Sequence, residues 1–168
     1  MIAMKNVMVA TDFGEAADAA LRYGRELAGR FGATLHLVHV VETSYVGIGV
    51  ETYVPVMPDV DGELEEAAQR RLNGLIENVG NGPRTVLAVL PSSVPSVAII
   101  DYARVHDTDL IVMGTHGRSG FTHLVMGSVA ERVVREAPCP VLTIKQSEAA
   151  VVMAEIPTAA RAAAPVLS

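Results

Sequence analysis

The chain has only two lysines, Lys5 and Lys145, one cysteine, Cys139, and no apolar run near the length of a membrane span. Each scarcity excludes something. With few cations and a net charge of −6, the surface lacks the clustered Lys and Arg that nucleic acid or an anionic membrane requires. A single cysteine forbids an intrachain disulfide and fits a reducing compartment. It lies between Pro138 and Pro140 and reads as a small buried hydrophobe, not a catalytic thiol. Spanning a bilayer takes about 20 apolar residues, and the opening residues 1–6 lack the apolar core of a secretory signal. A soluble, cytoplasmic protein is expected. Two common phosphate motifs are also missing. A P-loop needs Gly-x4-Gly-Lys followed by Ser or Thr, and neither lysine stands in a glycine loop. A dinucleotide fingerprint needs Gly-x-Gly-x-x-Gly after the first strand, where this chain has Ala10-Thr-Asp-Phe-Gly14.

What is present is a 168-residue chain, half of it hydrophobic, enough for one domain with a real core. Short, largely apolar runs predict strands at Val7 to Ala10, Thr34 to Val41, Thr85 to Leu90, Leu110 to Met113 and Val141 to Ile144. Between them lie helical stripes. Ala17, Ala20, Leu21, Gly24, Leu27, Ala28 and Phe31 share one face of the first; Leu64, Ala68, Leu72, Leu75 and Val79 share one face of a helix over 61–79. Ile99, Tyr102, Ala103 and His106 form the third, and Ala130, Val133, Val134 and Ala137 the fourth. Strands alternating with such helices predict α/β units around a parallel sheet. His36 and His39 are three apart on a strand, hence on opposite faces, and cannot chelate one metal together. Residues 42–60 have no period and read as a long loop. Residues 1–146 read as the domain and 147–168 as an alanine-rich tail.

The organising stretch runs from Gly114 to Ser128, with the spacing Gly-x2-Gly-x9-Gly-Ser between an apolar strand and a helix start. Gly114, Gly117 and Gly127 have no Cβ and tolerate positive φ, so consecutive amides can turn toward one bound group. Ser128 and Glu131 read as a capping box that opens the next helix. Its free amides and positive dipole end then favour an anion, with phosphate the natural guest.

In this spacing and in its flanks, Asp109 to Arg118 and Gly127 to Leu142, the chain resembles the universal stress proteins, in particular their ATP-binding branch, from about Lys5 to Lys145. The resemblance implies a five-stranded parallel sheet of order 3-2-1-4-5 with helices on both faces, similar to the adenine nucleotide alpha-hydrolase fold. It implies a nucleotide site made of Ala10, Thr11, Asp12, Val40, Met113, Gly114, Gly117, Arg118, Gly127, Ser128 and Val129. From residue chemistry alone Asp12 reads as a turn or N-cap residue; the family match gives it contact with the nucleotide or, through water, with its metal. Val40 matches a position whose backbone reads the adenine edge. ATP is the implied ligand, with Mg²⁺ riding on its phosphates and no metal ligand supplied directly by the protein. A homodimer through the edge strand Val141, Leu142, Thr143 and Ile144 is implied too, and an unpaired apolar edge invites it. The chain departs from the family's pattern at Gly14, where a serine often caps the helix, and at Ser93, near which a glycine is usual.

Phosphoryl transfer needs an oriented water and a cation on the developing charge. His116, His123 and Ser119 lack an identified orienting partner in the sequence, so little or no ATP hydrolysis is expected. The leading reading is a nucleotide-dependent stress-response or regulatory module whose protein partner is unknown. The alternatives are a weak ATPase or adenylating enzyme on the same fold, and a nucleotide-free chaperone-like interaction protein.

Overall fold

A computed structural model describes residues 3–43, 60–77, 82–115 and 126–145. Nine elements alternate along these segments: β1 (Asn6–Ala10), α1 (Glu15–Phe31), β2 (Thr34–Val41), α2 (Val60–Glu77), β3 (Thr85–Pro91), α3 (Pro95–Val105), β4 (Leu110–Gly114), α4 (Ser128–Glu136) and β5 (Val141–Ile144). The strands form one sheet of order β3-β2-β1-β4-β5, parallel at every pairing. This is the expected fold. Residues 44–59 of the long loop and the tail over 147–168 lie outside the described residues, as does Val79. Among the described residues no helix is long and apolar enough to cross a membrane.

The apolar strands are continuous because both faces of the sheet are covered. On one face Val7, Val9, Leu35 and Leu37 pack with Ala20, Leu21 and Ala28 of α1 and Leu72 of α2. On the other, Met8, Val38, Ile111 and Met113 pack with Ile99, Ile100 and Ala103 of α3 and Ala130 and Val133 of α4. Successive strand side chains point to opposite faces, so an alternating set on each strand feeds each core. The stripes were drawn slightly too wide. Phe31, Leu64 and Val134 are 42%, 46% and 48% exposed, and His106 caps α3 on the exposed side. Phe31 is the last residue of α1 and His106 lies just past α3.

Two close approaches seat α1 on the sheet. A Cβ on Gly24 would lie 2.2 Å from Val9 Cγ2, and one on Gly114 would lie 2.9 Å from Ala16 Cβ and 3.4 Å from the Ala17 amide nitrogen. Gly114 is therefore needed for packing. It has no positive φ, and neither does Gly127, at φ −59° and ψ 147°, contrary to the expectation that both would use left-handed freedom. Ser93 likewise avoids positive φ. The turn there is made instead by the Ser92 hydroxyl, which accepts the Val94 N–H at 3.1 Å.

The strand histidines face opposite ways, as their spacing requires. His36 is buried, with Nδ1 3.0 Å from the Tyr102 hydroxyl and its ring 5.4 Å from that of His106. Burial, and then the charge of His106, hold its pKa below the ordinary 6.5.

Gly24→Ala should destabilise the protein. Overpacking of about 1–3 kcal/mol outweighs the gain of about 1 kcal/mol in helix propensity. In a Val9→Ala background, where the clashing methyl is gone, the same change should stabilise. Urea midpoints of the four chains decide it, and a Gly24→Ala penalty of the same size in both backgrounds would refute the clash. His36 predicts a pH dependence. As pH falls below 6.5 the unfolded chain takes up a proton that folded His36 resists, so stability drops with acidification through the window down to the folded pKa. His36→Gln should flatten the change in urea midpoint between pH 7 and the acid side. An unchanged slope would assign the dependence to other groups.

Candidate functional site

At the C-terminal rim of the sheet the chain turns from β1 into α1 through Thr11-Asp-Phe-Gly14. The Thr11 N–H donates to the Val38 carbonyl at 2.9 Å and so extends the β1–β2 ladder by one residue. Buried Thr11 then uses its hydroxyl oxygen to accept the Phe13 N–H at 3.0 Å. Asp12 Oδ1 accepts the Gly14 N–H at 2.9 Å, a side-chain turn of the kind that aspartate favours. Gly14 is the N-cap of α1 and supplies no side-chain cap. His39 leans in from β2 with Nδ1 2.7 Å from the Thr11 carbonyl; since a carbonyl can only accept, Nδ1 carries the proton.

β4 lies beside β1, with Ala10 in register with Met113. One residue beyond the strand, the Thr115 N–H donates to the Ile144 carbonyl at 2.9 Å, and the Thr115 carbonyl accepts the Gly127 N–H at 2.8 Å. The loop that leaves the sheet at Thr115 thus returns to the same point. α4 starts there, with Gly127 as N-cap and the first helical bond running from the Glu131 N–H to the Gly127 carbonyl at 2.9 Å. The expected capping box is corrected. Ser128 is the first helical residue, not the cap, and no side chain caps the helix. The amides of Ser128, Val129 and Ala130 consequently have no acceptor within the helix, at the rim just beyond the end of β4.

The structure therefore brings Ala10, Thr11, Asp12, Met113, Gly114, Gly127, Ser128 and Val129 to one rim, across the β1–β4 seam. Val40 joins from β2, two residues past the last position paired with β1 and half-buried. Gly117 and Arg118 lie outside the described residues, as do His116, Ser119 and His123. Two contributors were not picked out from the sequence, Thr115 and Phe13. Thr115 gives no motif signal because its role is carried by backbone atoms. Among the described residues no three His, Cys, Asp or Glu side chains group to hold a metal. Cys139 is half-buried; burial and nearby Asp109 push its thiol above the ordinary range, against a smaller downward pull from a hydrogen bond with the Ile111 backbone. It is not an activated nucleophile.

Comparison with known proteins agrees with this geometry. Residues 4–145 match the model of the universal stress protein family. A universal stress protein in the QAH/OAS sulfhydrylase 3′ region of Thermus aquaticus is 36% identical over 149 residues, covering 84% of this chain and 98% of that protein. Universal stress protein A homolog 1 of Coxiella burnetii is 32% identical, covering 86% and 98%. Among solved structures, the universal stress protein of Archaeoglobus fulgidus in complex with dAMP superposes with a TM-score of 0.59 at 26% identity, over 86% of this chain and all of that one. UspA of Lactobacillus plantarum superposes with a TM-score of 0.63 at 27% identity, over 86% and 99%. By its matched sequence, its sheet order and its glycine-flanked rim, the chain belongs to the universal stress protein family.

Proposed function

We infer that the protein binds ATP at the rim where β1 and β4 meet and works as a nucleotide-dependent stress-response module with little or no turnover. The observation that carries this reading is the return of the chain to Thr115, which starts α4, whose first three amides have no acceptor within the helix, at the rim that β4 shares with the Thr11–Asp12 turn. Preorganised amides and a positive helix end favour an anion without any lysine. The Archaeoglobus relative, solved with dAMP, supports an adenine nucleotide as the occupant. In this reading the backbone of Val40 meets the adenine edge, and Ala10, Met113 and Gly114 floor the cleft. Gly117, Arg118, Gly127, Ser128 and Val129 cradle the phosphates. Mg²⁺ would ride on the phosphate oxygens, with Asp12 reaching it through water. Slow turnover is supported by the engagement of the polar side chains nearby, with Asp12 tied to the Gly14 N–H and His39 to the Thr11 carbonyl. Both are held as turn-builders.

The protein further acts as a homodimer through β5. The strand is a sheet edge, and an unpaired edge presents a row of backbone donors and acceptors. The Pro140 and Ile144 carbonyls face β4 by accepting the Ile111 and Thr115 N–H groups, so alternation turns the backbone groups of Val141 and Thr143 outward. Cytoplasmic residence and residues 147–168 as an appended tail complete the proposal.

Denaturing the purified protein should release an adenine nucleotide into the supernatant, and Mg-ATP should raise the melting temperature of the emptied chain. Gly127→Val should fold, because φ −59° and ψ 147° suit any residue, yet its branched side chain should weaken ATP binding by about tenfold or more, roughly 1.4 kcal/mol. Retention of parental affinity would place the site elsewhere. Thr143→Pro removes one outward donor and leaves the inner ladder intact. Sedimentation should show a monomer; a persisting dimer would move the interface off β5.

A further inference from the structure

The turn after β1 holds a strain that nucleotide binding alone does not explain. Phe13 has φ 64°, in the left-handed region that a residue with a side chain enters only when its surroundings impose it. Glycine would suit that place, yet Gly14 stands one position later at φ −91°. The ring is held on two sides. Its centroid lies 4.3 Å from that of His39, and the guanidinium carbon of Arg71 sits over the ring at 4.0 Å. His39 is itself fixed to the Thr11 carbonyl, and Arg71 comes from α2. Strand β2, helix α2 and the β1–α1 turn thus meet at one aromatic ring. The two turn bonds, from the Phe13 N–H to Thr11 Oγ1 and from the Gly14 N–H to Asp12 Oδ1, flank that left-handed residue.

We propose that Phe13 is a positioning residue for the nucleotide site, and that Arg71 acts through its ring to keep Thr11 and Asp12 folded at the rim. The inference rests on the adenine-nucleotide reading and adds a connection to α2. In it neither Phe13 nor Arg71 touches the nucleotide; both set the population of the turn that does. Linkage is reciprocal, so occupancy of the site tightens the contact between α2 and the turn. A ring that merely plugs the core behaves differently, since its removal lowers stability and leaves the folded protein's affinity alone.

The test uses the full chain, calorimetric titration with Mg-ATP, and amide exchange at Phe13 and Gly14 in nucleotide-free protein. Phe13→Gly removes the ring and the strain, Phe13→Ala removes only the ring, and Arg71→Ala changes an exposed residue that leaves folding intact. Both Phe13 variants should bind about tenfold more weakly, although Phe13→Gly is the less strained, because only the competent fraction binds. Arg71→Ala should lose about two- to fivefold, the reach of an exposed cation–π contact. Arg71→Lys should fall between wild type and Arg71→Ala, since an ammonium keeps the cation–π attraction and loses the planar stacking. Exchange at Gly14 should quicken in all four. Unchanged affinity in Phe13→Gly alongside a binding wild type overturns this inference alone, as does unchanged affinity in Arg71→Ala. A wild-type chain that takes up no Mg-ATP overturns the nucleotide reading and this inference with it.

Discussion

The hydrogen bond from the Gly127 N–H to the Thr115 carbonyl is the constraint from which the site follows. It makes the excursion after β4 begin and end at one point on the sheet. Helix α4, with its first amides, must therefore start at the rim, one residue beyond the end of β4. Without it those amides could face bulk water anywhere over the α3–α4 face. The bond is in turn held in place, because Thr115 is anchored to Ile144 of β5 and Gly114 is pressed against α1 at Ala16. The proposed anion site is thus a consequence of sheet order, since adjacency of β1 and β4 brings the Thr11–Asp12 turn to the rim where α4 starts.

A second constraint is the depth at which α1 lies. Gly24 over Val9 and Gly114 under Ala16 let the helix come closer than any side chain there would permit. The first turn of α1 then abuts the end of β4, and the turn that feeds it is short. A short turn cannot relax, which is why strain collects at Phe13 and why the ring contacts with His39 and Arg71 are needed to hold it. Close packing of the layers and the conformation of the rim are two aspects of one fit.

Much of this was legible because it repeats a local pattern. Continuous apolar runs such as Val7 to Ala10 mark strands buried on both faces, and the observed cores take alternate residues from them. The spacing of His36 and His39 forbade a shared metal, and the two rings engage different partners. The errors share a cause. Phe31, Leu64 and Val134 were assigned to buried stripes because period alone cannot see where the sheet ends. Ser128 was read as a cap because Ser-x-x-Glu favours one, while the Gly127–Thr115 bond sets the helix start one residue earlier. Left-handed freedom was assigned to Gly114 and Gly127, and the described turn after β1 puts it at Phe13, where no residue preference points to it.

Taken alone, the sequence determined the element order, the parallel α/β class and the family, because apolar period and glycine spacing are properties of neighbours along the chain. Tertiary structure alone decided which glycine serves packing, which residue caps α4, and that one ring joins α2 to the turn after β1. Those outcomes depend on groups far apart in sequence, Gly114 with Ala16 and Phe13 with Arg71, whose meeting no local preference encodes.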